Sequence, residues 1–511
     1  MVAADTAPKC RIAFAFVPMA GHMNPSFPVA RLLASMGHEV HYFTHEVVKK
    51  AVESTGAVFH SIADYHSAVS DGRFAADSPI GIFSGLVEEH GLKPTGSNTG
   101  HAVLPFSMVS NVALELQLPG TLRFFDEVKP DVLFYDPMIL CRDSLFAARL
   151  RGVPAVSLLT VAGPGGYADH MTAGVGEEAW VASMQGFAPH VEATRRLNAT
   201  YDLGLAVVER PLMVLERAHK HLVTTSESLQ DPMGPELAKA YAGQGAEFVY
   251  VGPLLEEDEG SLRLGMSKGA DAGGASVLAA ARSARAAGRR VVLVSMGTVL
   301  TSDMPSIGWA GRAQGANGEP RGLSGKELCQ AAWGGIFDAF GAASEDEGPL
   351  VIVGLANRTD ALDGLMAPPN ALCPMGLPQV DLLRSGVDLF LTHGGQNSFM
   401  EAMSHGTPVV VCPGFGDQVV NAAKAEALGV GLQVPRPDAE PGHAAEAAAA
   451  YRTAVRRAAA EVLGGAAFRV AVGRTSAELR EAGGVPRAVQ AILDAAAGAP
   501  SAKKRRLGPT A

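Results

Sequence analysis

Two stretches of this 511-residue chain combine side chains able to hold a charged ligand or move a proton with glycines that let backbone come close. The denser spans 391–422, LTHGGQNSFMEAMSHGTPVVVCPGFGDQVVNA. An apolar run ends at Thr392, His393-Gly394-Gly395 reads as a turn, and a helical pattern begins near Asn397. A helix N-terminus offers unpaired N–H groups and a partial positive charge. Asn397 and Ser398 add donors in the first turn, and His393 can donate to a phosphate oxygen. Together they describe a seat for a pyrophosphate that needs no metal. The plain alternative is a strand, turn and helix in which Asn397 or Ser398 only caps. Glu401 lies four residues after Asn397 on the same helical face. Its carboxylate can accept two hydroxyls, as a ribose offers, or simply be solvated. Asp417 and Gln418, in GFGDQ at 414–418, follow another apolar run. An acid beside an amide suits sugar hydroxyls, and a helix cap at Asp417 is the alternative.

The other stretch, MAGHMNP at 19–25, puts His22 in a glycine turn directly after the first apolar run. An imidazole with an ordinary pKa can take a proton from an alcohol near neutral pH. A lone loop histidine is more often merely solvated. Asp136 ends the run 132–136 (VLFYD) and can fix the tautomer of His22 and stabilise its cation; Asp136-Pro137 is equally a turn signal.

These residues need elements that bring them to the ends of strands. Short, near-continuous apolar runs alternate with helical patterns, as expected of parallel strands buried on both faces. Strands are expected at 11–17, 39–44, 132–136 and 155–159, with helices at 25–36 and 143–151. The rhythm restarts with strands at 290–295, 350–354, 389–392 and 409–412. Helices at 326–340, 397–405 and 419–428 lie between them. The expected class is α/β: two doubly wound, Rossmann-like domains facing across a cleft. The expected division is 1–255 (first Rossmann-like domain), 256–289 (linker and first helix), 290–484 (second Rossmann-like domain) and 485–511 (closing helix and disordered basic tail). An Ala-rich helix is expected at 444–463. The Gly-rich segment 301–325 reads as a surface loop, with a lid as the alternative.

Composition narrows the function classes. The net charge of −10 leaves no basic field for nucleic acid. Cys10, Cys141, Cys329, Cys373 and Cys412 lie far apart, with no CxxC pair and no zinc spacing, and read as reduced thiols of a cytoplasmic protein. The apolar run 12–20 follows two basic residues but leads straight into a helix pattern, so it reads as a first strand rather than a secretory segment. No apolar run is long enough for an integral membrane segment. The basic tail Lys503-Lys504-Arg505-Arg506 reads as a solvated end.

The stretch 377–422 resembles the donor-binding signature of the family 1 UDP-glycosyltransferases, including the macrolide, sterol-type and plant enzymes. The matching pieces are LPQ at 377–379, THGGQNSFMEA at 392–402, GTPVVV at 406–411 and DQVVNA at 417–422, with GHMNP at 21–25 matching the family's catalytic-histidine loop. The resemblance implies a GT-B fold and an inverting, metal-independent hexosyltransferase with no cofactor, its UDP-sugar (UDP-glucose first) being a co-substrate. Carried over by position, His22 is the base and Asp136 its partner. His393, Gly395, Asn397 and Ser398 hold the diphosphate with help from Thr298; Glu401 binds ribose, Asp417 and Gln418 the sugar, and Gln379 lies near ribose and base. Many relatives carry an aromatic before the Pro-Gln element to stack on uracil; here the run is Met375-Gly376-Leu377-Pro378-Gln379.

The expected partners are a UDP-sugar and a small hydrophobic, hydroxylated acceptor. Phe83, Phe106, Met108, Met171 and Trp180 lie in stretches that read as long loops and are either acceptor wall or core. Two other classes stay open. A non-catalytic nucleotide-sugar-binding protein keeps the 393–418 constellation but has no use for His22 and Asp136. A GT-B relative such as a nucleotide-sugar epimerase needs carboxylate acid–base groups facing the sugar, and a lipid-sugar transferase needs a basic, apolar face.

Overall fold

Chains of β-branched and aromatic residues with no polar alternation can be satisfied only by burial on both faces, and the structure uses them so. This computed structural model describes residues 9–75, 80–94, 99–255, 257–264, 270–304, 307–314 and 319–498. They fall into two compact units: Met1–Lys93, Val103–Leu254 and Gly483–Ala511 form one, Pro94–Ala102 and Leu255–Ala482 the other.

The first unit is a seven-stranded sheet in the order Val58–Ser61, Glu39–Thr44, Arg11–Ala15, Val132–Tyr135, Ala155–Leu159, Lys220–Val223, Phe248–Tyr250, every pair parallel. The chain winds outward in one direction from Arg11–Ala15 and in the other from Val132–Tyr135. The strand order therefore reverses between these two neighbours, which pair Ile12 with Val132 and Ala15 with Tyr135. Ligands of such sheets bind at the carboxyl ends of the strands at this reversal. The helix Ser26–Ser35 follows the first strand, and Gly484–Gly498 packs against it and against the strands Val132–Tyr135, Ala155–Leu159 and Lys220–Val223. Gly484 N–H donates to Val251 O at 2.7 Å.

The second unit has a six-stranded sheet in the order Ala371–Leu372, Leu350–Val353, Val291–Ser295, Leu389–Thr392, Val409–Val411, Gly431–Gln433, again wholly parallel. Its reversal lies between Val291–Ser295 and Leu389–Thr392, where Thr392 pairs with Ser295. The helix Gly325–Phe340 opens with a capping box between Ser324 and Glu327 and packs along Ala444–Gly464.

Several expectations need correction. The first strand stops at Ala15, and His22 sits on a one-turn helix, Ala20–Met23, rather than in an open glycine turn. Phe83, Phe106, Met108, Met171 and Trp180 lie on helices, not loops, and Phe83, Met171 and Trp180 belong to hydrophobic clusters of the first unit. The described part of 301–325 is not a plain surface loop. Trp309 is buried against Trp333 and donates to Asp360 at 3.0 Å, and Leu323 is in the core. The basic tail at 503–506 lies outside the described residues. Among the described residues no helix is long and apolar enough to cross a membrane, and none of the five cysteines is in a disulfide.

The first sheet also sets an acid limit. His221 is wholly buried in the strand Lys220–Val223, bonded to Ser157 Oγ at 2.7 Å and stacked on Phe248. Burial pushes its pKa down to about 4. The unfolded chain takes up this proton below about pH 6.5 and the folded chain does not, so stability is present at neutral pH and lost as pH falls. For His221 alone the loss at pH 5 is about 2 kcal/mol. Urea unfolding at pH 7.5 and at pH 5.0 checks this; His221→Asn should narrow the difference, and an unchanged difference would assign the sensitivity elsewhere.

Candidate active site

In the first unit, the chain leaves the two strands at the reversal and brings His22 and Asp136 together. His22 Nδ1 stands 2.9 Å from Asp136 Oδ2. The carboxylate is nearly fully buried, its side chain 3% exposed against 22% for the imidazole. It is also held by its own turn: Asp136 N–H donates to Ala15 O at 2.9 Å, and Asp136 Oδ1 accepts from Met138 N–H at 3.1 Å. The turn reading and the functional reading of Asp136-Pro137 are therefore compatible. A buried carboxylate on Nδ1 fixes the imidazole tautomer and stabilises its cation, which leaves Nε2 as the proton-accepting position.

In the second unit, the turns 296–298 and 393–395 leave adjacent strands side by side. Gly297 has φ 72°, and a Cβ there would lie 2.4 Å from His393 Nε2 and Cε1; Gly394 has φ 84°, and a Cβ there would lie 2.4 Å from Val411 Cγ1. Both positions exclude a side chain by conformation and by space. The His393 ring thus stands against the backbone of the neighbouring turn. Burial pushes its pKa down, against the opposing pulls of Asp417, the Ser295 carbonyl and Glu401, so it is a neutral ring with one N–H at neutral pH. Asn421 Nδ2 donates to Gly394 O at 2.9 Å and holds the turn from below.

The helix Gln396–Ser404 starts from Gly395 with no side-chain cap, so Asn397 and Ser398 lie in its partly exposed first turn and do not cap it. Thr298 is exposed in the neighbouring turn. Glu401 is not a solvated carboxylate: it is 3% exposed and engaged on both oxygens. Arg263 Nη2 donates to Oε1 at 2.7 Å, and Gln379 Nε2 donates to Oε2 at 2.6 Å and to Ser398 Oγ at 3.1 Å.

Asp417 and Gln418 are also tied into the scaffold. Asp417 Oδ2 accepts from Gln396 N–H at 3.0 Å, so this carboxylate covers the start of the neighbouring helix. Gln418 is 3% exposed, and its Oε1 accepts from Gly414 N–H at 2.8 Å and Phe415 N–H at 3.3 Å. The reason is common to both: a loop that bends sharply between a strand and a helix leaves backbone donors that nearby side chains must satisfy.

The structure thus assembles His22 with Asp136 in one unit, and Gln379, Ser398 and Glu401 in the other beside the turn that carries His393 and Gly395. Sequence reasoning missed Arg263 and Asn421. Asn421 stands four residues after Asp417 within a quoted motif, a spacing that puts both on one helical face. Arg263 meets a partner 138 residues away, and nothing local signals that.

Residues 364–438 match the family model described as UDP-glucoronosyl and UDP-glucosyl transferase. The chain is 23% identical to the NDP-glycosyltransferase YjiC of Bacillus subtilis (strain 168) over 84% of its length and 85% of that protein's. Over 75 residues, 14% of each chain, it is 49% identical to UDP-glucuronosyltransferase 3A1 of Mus musculus. Among solved structures, the glycotransferase of kitacinnamycin superposes with a TM-score of 0.61 at 22% identity, covering 96% of this chain and 100% of that one. The two parallel-sheet units and these neighbours show the GT-B fold. These matches support a UDP-dependent glycosyltransferase similar to the family 1 enzymes.

Proposed function

We propose that the enzyme moves a hexose, glucose first, from UDP to a hydroxyl of a small apolar acceptor, inverting the anomeric carbon and using no metal. The observation that carries this reading is the His22 Nδ1–Asp136 Oδ2 pair at 2.9 Å, placed at the strand-order reversal of the first unit. His22 Nε2 takes the acceptor's proton, the oxygen attacks the anomeric carbon, and the bond to the diphosphate breaks in the same displacement. The negative charge on the departing UDP is met by the N–H groups at the start of Gln396–Ser404 and by the side chains of His393, Asn397, Ser398 and Thr298. Glu401 meets the ribose beside Gln379; each carboxylate oxygen has a second lone pair, so ribose hydroxyls can join the contacts with Arg263 and Gln379 without displacing them. Asp417 and Gln418 would offer the sugar what their scaffold bonds leave over, chiefly Gln418 Nε2.

A non-catalytic sugar-nucleotide binder has no use for the His22–Asp136 pair. Screening an acceptor library with UDP-glucose by mass spectrometry, then determining the product anomer by NMR, tests the proposal. An α-donor should yield a β-glycoside, and an α-linked product would overturn inversion.

Metal independence has its own check. Activity in excess EDTA should equal activity with added magnesium, because a helix N-terminus and neutral donors answer the diphosphate charge. Complete loss in EDTA, restored by the metal, would overturn it.

A further inference from the structure

Next to Asp136 the first unit holds a cavity of about 120 Å³. Tyr135 and Pro137, the chain neighbours of Asp136, both line it, which ties it to the proton-accepting pair. Met138, Trp180, Met184 and Leu212 make most of the remaining wall apolar. Arg142 and Glu216, with Ser110, Asn111, His190 and Glu209, interrupt that wall. Arg142 Nε donates to Glu216 Oε1 at 2.6 Å, and Arg142 Nη1 donates to Asn111 Oδ1 at 2.7 Å. The other carboxylate oxygen, Glu216 Oε2, is buried and has no hydrogen-bond partner in the protein. The same holds for the hydroxyl of Ser107, a residue 5% exposed that lines the same cavity.

Arg142 cancels the charge of Glu216, so the pair does not call for a cation; what it lacks is a donor to one oxygen. A buried acceptor left unpaired is costly, and a bound group that pairs it gains selectivity over an isostere that does not. Resting on the glycosyltransferase reading, we propose that Glu216, held by Arg142 and assisted by Ser107, determines acceptor specificity by receiving a second hydroxyl of the acceptor. The acceptor class is then apolar diols: one hydroxyl is glycosylated at His22, and the other donates to Glu216 Oε2.

The test uses the full chain and calorimetric binding of 2,7-naphthalenediol against 7-methoxy-2-naphthol, which keeps shape and one hydroxyl but loses the second donor. The diol should bind about tenfold or more tightly, the range of a hydrogen bond to a charged group. In Arg142→Met/Glu216→Leu, which removes both charges so that neither is left buried alone, the two probes should bind within about twofold of each other. In the isosteric Glu216→Gln the preference should shrink, which keeps the test open should the double variant not fold. Equal binding of the two probes by the wild type, binding of neither, or a tenfold preference surviving in the variants would overturn the proposal. Transfer from UDP-glucose is measured separately. A binding preference without transfer would count against the function proposed above and leave this inference standing; transfer with no preference would do the reverse.

Discussion

His22→Ala is expected to transfer sugar at least about 10²-fold more slowly than the wild type while binding UDP with unchanged affinity. In the proposed mechanism the imidazole acts only when the acceptor's proton moves, so its removal should be felt in turnover; the residues proposed to hold the donor belong to the second unit and His22 to the first. Asp136→Asn should lose as much or less, since the carboxylate orients and stabilises rather than receives the proton. Because Asp136 is held by Ala15 and Met138 as well as by His22, the carboxamide should stay in place, and its loss should report charge rather than position. The double variant should fall far short of the product of the single effects, since groups that act as a unit fail together. Steady-state turnover on the best acceptor, with UDP calorimetry alongside, decides it; near-normal turnover by His22→Ala would remove the histidine from the base role.

The second large effect is expected at His393. His393→Ala should weaken UDP binding by about 10- to 100-fold, the range for losing a hydrogen bond to a charged group. The geometry sharpens this expectation. The ring rests on Gly297 and Gly395, where added Cβ atoms would lie 2.4 and 2.6 Å from Nε2, so its removal also leaves two glycine turns without their common spacer. His393→Gln, which restores a donor but not the flat ring, should recover only part of the affinity. Calorimetry with UDP on the three proteins checks this, and unchanged affinity in His393→Ala would show the ring to be a packing element alone.

Much of this was legible in the residues. The buried parallel strands announced themselves because burial on both faces forbids polar alternation, as in VVLVS at 291–295 and LFLT at 389–392. The strands that escaped notice, such as Val58–Ser61 and Phe248–Tyr250, lie at sheet edges where partial exposure admits mixed residues and the pattern blurs. His22 and Asp136 could be paired in advance because each follows one of two strands whose carboxyl ends adjoin where the order reverses. The engagements of Glu401, Asp417 and Gln418 could not be read in advance, because each is set by a contact that sequence spacing does not encode. Arg263 comes from a segment with the composition of a linker. The backbone donors of 396, 414 and 415 fall to Asp417 and Gln418 only once the loop is bent. Helices such as Glu177–Gly186 were hidden for a different reason: their apolar residues serve several neighbours and leave no single stripe.

The helix Gly484–Gly498 gives the enzyme a peculiar history on the ribosome. Its buried residues, among them Val489 and Ile492, cover the helix Ser26–Ser35 and three strands of the first sheet, yet they follow the whole second unit in the chain. At about 5–20 residues per second, the stretch between Leu254 and Gly483 takes roughly ten to fifty seconds to translate. Throughout that interval the amino-terminal sheet is present without its last covering helix. The nascent chain therefore shows an apolar face on the first sheet for far longer than most domains need to fold, and the enzyme depends at that stage on whatever holds such faces apart.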